Sequence, residues 1–319
     1  MGIFYPITLA LLLFIALGCA TGKNQTDSLV QYGNPDYQHV KNIPENQAEA
    51  LGYNDPPTPE LPEMTGDEYE VLGDAMLKKG NLHKAYLQYE RSLEQTPDNL
   101  RVQYKIGVAF LAGKKLTDAR QQFQKVIDQK VVFAPAWEGM GRVYLLEKDY
   151  ERAEDCFLKA TSLNPRLWQS YNYLGNIYDI QKDHPRAIQQ YHSALQIQPQ
   201  NGSLYNNLGV SYSMEGKFPE AAEAFQAAVA LKYANSKVYN NLALVLANQG
   251  KYNDALAAFK KGVGEAQAYN NLGCIYLQAG KNAEAVRCFE KAIEISPSYY
   301  VKAGENLKEA KRAGGAEGL

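Results

Sequence analysis

The strongest constraint on this chain is a pattern that returns every 34 residues from residue 66 onward. The eighth position of each unit is small: Gly73, Gly107, Gly141, Gly175, Gly209, Ala243 and Gly273. The twentieth is Ala every time (Ala85, Ala119, Ala153, Ala187, Ala221, Ala255, Ala285). Four residues later stands a ring: Tyr89, Phe123, Phe157, Tyr191, Phe225, Phe259 and Phe289. A small residue on one helix facing an Ala on the next lets two backbones approach closely, and the aromatic one turn on is expected to fill the wedge toward the following pair. Apolar residues such as Leu174 and Tyr178, Leu208 and Tyr212, or Leu272 and Tyr276 recur at i and i+4, which is helical spacing. Gly80, Gly216, Gly250 and Gly280 fall at the turn inside a pair, and Pro97, Pro165, Pro199 and Pro297 follow the second helix.

The pattern reads as an all-α solenoid of seven helix-turn-helix units at 66–99, 100–133, 134–167, 168–201, 202–235, 236–265 and 266–299. Each unit can bury its apolar face only against its neighbours, so the units stack. The sixth is four residues short, with Gly262-Val263-Gly264-Glu265 expected to replace the end of its second helix and to alter the pitch locally. Residues 300–313 carry Lys302, Glu305, Lys308, Glu309, Lys311 and Arg312 and are expected to cap the stack, because a terminal element needs a polar outer face. A flexible tail, 314–319, follows.

Composition narrows the chemistry. The formal charge of −2 (33 Lys and Arg against 35 Asp and Glu) supplies no broad basic field for nucleic acid. Four Cys without a CxxC pair and four scattered His argue against a disulfide scaffold and a metal site. Gly113-Lys114-Lys115 lacks the frame of a phosphate loop, and no nucleophile stands beside a base in sequence. Neither an enzyme nor a cofactor or small-molecule substrate is expected. Cys156, Cys274 and Cys288 lie inside repeats, where buried thiols are the ordinary reading, with a Cys274–Cys288 bond open as an alternative.

The segment Trp137-x-x-Met140-Gly141-x-x-Tyr144, followed by Ala153, Phe157, Ala160 and Pro165, resembles the tetratricopeptide repeat. The resemblance covers 66–299 and departs at Val131 and Tyr233, where Pro is usual. It implies a right-handed superhelix whose first helices line a concave, peptide-binding groove. Groove positions of that family correspond here to Asn172, Asn206, Asn240 and Asn270 at the fifth place of successive units and to Asn207, Asn241 and Asn271 at the sixth. An amide carries a donor and an acceptor, so such a row can bond a peptide main chain without reading its side chains. The row resembles the groove asparagines of superhelical repeats in sugar-transferring enzymes; helix packing and solvation are the other use of Asn at the sixth place. Compared with the carboxylate clamp of chaperone adaptors, Asn176, Asn207 and Lys237 match, whereas Asn172 and Asn241 stand where cations belong.

Residues 1–18 read as a secretory leader: Ile7 to Leu17 is apolar and shorter than the roughly 20 residues that span a bilayer. Gly18-Cys19-Ala20 resembles the lipobox of bacterial lipoproteins, which implies lipidation of Cys19 and sorting to the outer membrane, facing the periplasm. An ordinary cleaved signal, or an uncleaved anchor with Cys19 a bystander, is the alternative. Residues 19–64 read as an acidic, Pro-rich tether. From residue 20 on they hold six Pro, two Lys and seven Asp or Glu. Those 45 residues would reach on the order of 40 Å if flexible. Tyr239-Asn240-Asn241-Leu242-Ala243, Tyr269-Asn270-Asn271-Leu272-Gly273 and Ser296 to Leu307 resemble the repeat lipoproteins of tight-adherence (Flp) pilus assembly and the pilotins. That resemblance implies a membrane-tethered scaffold holding a pilus or secretion component, with recruitment of an envelope enzyme such as a peptidoglycan hydrolase as the second reading.

Overall fold

A computed structural model describes residues 64–296 and 300–315. The leader, Cys19 and most of the acidic tether lie outside the described residues. These hold fifteen helices and no strand. They fall into two compact units, one ending at Asn164 and one beginning at Pro165.

In the first unit the helices pair as α1 (Gly66–Lys78) with α2 (Leu82–Gln95), α3 (Leu100–Ala112) with α4 (Leu116–Gln129), and α5 (Ala134–Leu146) with α6 (Tyr150–Leu163). The second unit pairs α7 (Trp168–Ile180) with α8 (His184–Ile197), α9 (Gly202–Met214) with α10 (Phe218–Ala230), α11 (Ser236–Asn248) with α12 (Tyr252–Val263), and α13 (Glu265–Gln278) with α14 (Asn282–Ile295). It ends in α15 (Tyr300–Ala313), packed on α14.

The small column has a different partner from the one its spacing suggests. In the six repeats with a column glycine, the ring twenty-fourth in the repeat lies directly on the bare Cα of its own first helix. A Cβ built on Gly73 would sit 2.4 Å from Tyr89, on Gly141 2.8 Å from Phe157, and on Gly209 2.9 Å from Phe225. Phe123 meets Gly107 in its own pair and Gly139 in the next, so in that repeat one ring also closes the wedge between pairs. All seven rings are at most 2% exposed and the seven Ala of the twentieth column are fully buried.

Whether the ring is Tyr or Phe follows from its neighbour on the first helix. Tyr89 donates its hydroxyl to Asp74 at 2.8 Å and Tyr191 to Asn176 at 2.6 Å, each acceptor standing one residue after the column glycine. In the other five repeats that place holds Val108, Arg142, Val210, Leu244 or Cys274, none of them a carboxylate or amide, and the ring is Phe. A buried phenol without an acceptor would cost about 1–3 kcal/mol.

Each turn within a pair closes the same way. The residue after the left-handed position sends its N–H five residues back, as in Asn81 to Met76 at 2.9 Å, Asp149 to Tyr144 at 2.9 Å and Lys281 to Tyr276 at 2.8 Å. Four turns place Gly at that left-handed position; Lys114, Lys148 and Lys182 hold it at φ 57° to 63°. The fifth repeat uses the device a second time. Lys232 (φ 63°) ends α10, and Tyr233 then packs over Gly202, where Pro is usual in the family.

The short sixth repeat loses residues from both places: its second helix has 12 residues where five of the other six have 14, and its connection shrinks to one residue. α12 continues through Val263 and α13 begins at Glu265, leaving Gly264 alone between them at φ 84°, ψ 169°, a region open essentially to Gly. Gly262, inside α12, is set against α11, where a Cβ would lie 3.0 Å from Asn240 Oδ1.

Two substitutions test this packing. Gly209→Val should lower the midpoint of urea unfolding by an amount equivalent to at least about 1–3 kcal/mol, since Phe225 has nowhere to move. Lys148→Gly should raise it by about 1 kcal/mol by relieving a left-handed Lys; an unchanged midpoint would show that this turn carries no strain.

Candidate functional site

The first helices of each unit carry the groove positions, and the fifth and sixth columns turn out to be coupled. In the first unit Glu70, fifth in its repeat, takes a 2.6 Å contact from Lys105, sixth in the next, and another of 2.6 Å from Arg101. Lys105 also pairs with Asp74. Glu70 is 4% exposed. Burial alone would raise its pKa, but the hydrogen bonds and charges of Arg101 and Lys105 outweigh it and hold the carboxyl below its ordinary value.

In the second unit amides replace the ion pair at the same register. Asn207 Nδ2 donates to Asn172 Oδ1 at 3.0 Å, joining α9 to α7. Asn306 Nδ2 of α15 donates to Asn270 Oδ1 at 3.0 Å. So α15 caps the stack with an amide of its own, one place beyond the sixth column that Asn207 occupies. The amide row therefore joins repeat to repeat at both ends, which is the packing use of these asparagines.

Between those ends the row is open. Asn206 Nδ2 reaches Asn207 Oδ1 at 3.3 Å, but Asn206 Oδ1 and Asn240 Oδ1 are buried without a hydrogen-bond partner, as are Asn270 Nδ2 and both amide atoms of Asn271. Asn270 and Asn271 are 1% and 5% exposed, so they lie beneath the surface instead of lining an open groove. The cause is packing: α13 follows α12 after a single residue and is covered further on by α15. Asn172, Asn206, Asn207, Asn240 and Asn241 are half-buried and Lys237 is exposed. Asn176 is committed to the Tyr191 hydroxyl, which removes it from a carboxylate clamp.

A second polar centre was not legible in the sequence. Asp179 accepts from Ser211 Oγ at 2.7 Å and from Tyr191 at 3.0 Å, and lies 3.0 Å from His184 Nδ1. The carboxylate sits between the hydroxyl and the imidazole. In a nucleophilic triad the imidazole must take the hydroxyl proton, so this order ties α7, α8 and α9 together and activates no serine. Its signal was available: Asp179 and Ser213 interrupt a column that reads Leu77, Leu111, Leu145 and Leu277 elsewhere.

The thiols are inert. Cys156, Cys274 and Cys288 are buried and unbonded to one another, and burial pushes the Cys156 thiol up to about 12 and that of Cys288 to about 11. His83 is exposed and His192 meets the Tyr212 hydroxyl at 2.8 Å. Among the described residues no group of three or more His, Cys, Asp or Glu could hold a metal.

Coupling between the amide columns is measurable. A double-mutant cycle on Asn172→Ala and Asn207→Ala should give an interaction of about 0.5–1.5 kcal/mol, whereas the same cycle on Asn206 and Asn241 should give none in the free protein.

Comparison with known proteins agrees with this architecture. Tetratricopeptide-repeat profiles match residues 71–130, 134–167, 156–189, 207–270 and 266–299, and a TPR-repeat profile matches 175–216. Tetratricopeptide repeat protein 7A of Homo sapiens is 32% identical over 87 residues, 27% of this chain and 10% of that protein. DnaJ homolog subfamily C member 3 of Bos taurus is 31% identical over 99 residues, 31% of this chain and 20% of that protein. The chain thus spans a tenth to a fifth of the length of these relatives. Among solved structures, the APC/C hetero-tetramer Cut9–Hcn1 superposes with a TM-score of 0.53 at 22% identity, over 76% of this chain and 49% of that one, which is a likeness of fold. With repeat profiles running over most of its length and each one lying on helix pairs of this kind, the chain belongs to the tetratricopeptide-repeat family.

Proposed function

We propose that this protein is a non-catalytic scaffold, tethered to the envelope through Cys19, that holds an extended segment of a pilus or secretion component along α9 and α11. Repeats of this family are typically protein-interaction scaffolds, and the Cut9–Hcn1 structure is by its description a hetero-tetramer. The observation that carries the reading is the pair of unpaired amide oxygens at the half-buried Asn206 and Asn240. Buried polar atoms without partners are rare in native proteins and cost about 1–3 kcal/mol each. Here they fall on two successive first helices, α9 and α11.

An extended main chain presents N–H and C=O groups alternately, which suits a row of amides. Turning these side chains about their own torsions toward such a chain would satisfy them together with the half-buried Asn207 and Asn241. The row carries no charge, so the segment it fits is selected by its extended backbone and by the neutral character of its side chains. The described residues contain no helix long and apolar enough to cross a membrane, so attachment in this reading rests on Cys19 and the acidic tether.

The test is a photo-crosslinking residue introduced at the exposed Lys237 in cells, with the captured segment identified by mass spectrometry. A pilus or secretion component should be recovered, and Asn207→Ala with Asn241→Ala should cut its capture roughly tenfold, as expected for two lost bonds. Recovery of a peptidoglycan hydrolase would favour recruitment of an enzyme instead. If no envelope protein is captured, or if the double variant captures it undiminished, the scaffold reading fails.

A further inference from the structure

The unit of residues 64–164 contains fifteen Lys and Arg and fifteen Asp and Glu, and at two places exposed charges of one sign gather. Asp67 and Glu68 at the start of α1 and Glu94 and Asp98 at the far end of α2 are exposed together at one edge. Lys78, Lys79, Lys84, Lys114 and Lys115 are exposed at the other, in and beside the turns α1–α2 and α3–α4. These two turns adjoin: a Cβ on Gly113 would lie 3.3 Å from Leu82 Cδ1. None of the five lysines has an ion-pair partner among the described residues, and Lys115 meets only the Phe110 ring, at 6.0 Å. The nearest acid in sequence is Asp118, in the first turn of α4.

Stability does not account for this arrangement. Lys84 and Lys115 stand at the N-termini of α2 and α4, where the helix dipole disfavours positive charge, and neither helix receives a side-chain cap. In the same unit α6 shows the stabilising alternative, with Asp149 capping the Arg152 N–H. Lys114 holds a left-handed backbone at φ 57°, although Gly takes the equivalent place in the neighbouring turn at Gly80.

We propose that this turn edge of the first unit is a docking surface for an anionic lipid bilayer. A Cβ on Gly80 would meet nothing within 4 Å, so the tip of that turn projects freely toward an approaching surface. The patch is lysine throughout. Lysine is a hydrated point charge suited to a diffuse anionic surface, whereas arginine is the residue of planar bidentate recognition. Three of the unit's five arginines are used differently: Arg101, Arg120 and Arg152 are paired with Glu70, Glu147 and Asp149. The surface acts independently of any lipid on Cys19 and independently of what occupies the amide row.

The test is vesicle co-flotation of the chain without residues 1–18 and carrying Cys19→Ala, so that neither the apolar leader nor an acyl group contributes. Vesicles of phosphatidylcholine containing phosphatidylglycerol should carry the protein, and pure phosphatidylcholine vesicles should not. Binding should vanish near 1 M salt, where the screening length is about 3 Å. Lys78→Gln, Lys79→Gln, Lys114→Asn and Lys115→Gln should each weaken partitioning about fivefold; Lys251→Gln and Lys281→Gln, in turns of the other unit, should leave it unchanged. Circular dichroism checks that the variants remain helical, and the salt titration of the otherwise unaltered chain needs no patch substitution. Equal uptake by neutral vesicles, insensitivity to salt, or equal losses from the control lysines would overturn the proposal. So would displacement from vesicles by an acidic peptide at matched charge, which would assign the patch to a protein segment.

Discussion

Every feature of this molecule depends on one contact: the edge of an aromatic ring on the second helix of a pair, resting on a Cα that carries no side chain. Glycine at that place brings the helices close enough for the ring to be wholly buried, and the fully buried Ala one turn earlier lets the backbones converge. Burying such a ring contributes about 1.5–3 kcal/mol, repeated in each pair. The contact also chooses its own chemistry, since a hydroxyl is added to the ring only where Asp74 or Asn176 can receive it. The sixth repeat, with Ala243 in the column, keeps Phe259 almost as buried, so a single methyl is accommodated there.

With each pair held from within, a separate set of contacts settles how one pair meets the next. Within each unit, each second helix packs on the following first helix, and the first helices add polar bonds to one another, by an ion pair in the first unit and by amides in the second. The substitution changes what the surface can recognise. A charged lock is closed by its own partners, whereas an amide retains a donor or acceptor for another chain. Where the row is left open, at Asn206 and Asn240, stability and recognition compete for the same atoms. The short connection at Gly264 follows this stretch.

Most of the helical architecture was legible because a 34-residue period is written redundantly: glycine, alanine and ring columns each mark the same helix pairs. Less legible was which residues touch. Spacing places Gly175 and Ala187 on facing helices, but it cannot tell that Tyr191 covers the glycine, because that depends on side-chain direction after packing. In the sixth repeat a deletion was visible, while its division between a shortened α12 and a one-residue connection at Gly264 was not. Asn172 and Asn207 stood out as a row, yet two residues 35 apart give no sign in sequence that they bond each other and not a ligand. Asp179 went unnoticed because its partners come from two other helices.

What the amino-acid order determined by itself is the period, the helix pairs and the neutral amide character of the C-terminal row, since these follow from local spacing and residue type. Only tertiary structure decided which amides are consumed in joining repeats and which remain unpaired, and where exposed charges of one sign gather in the first unit. The physical reason is the same in each case. Local propensity specifies which face of a helix is apolar, whereas hydrogen bonds and fields between repeats depend on distances that exist only after the pairs have stacked.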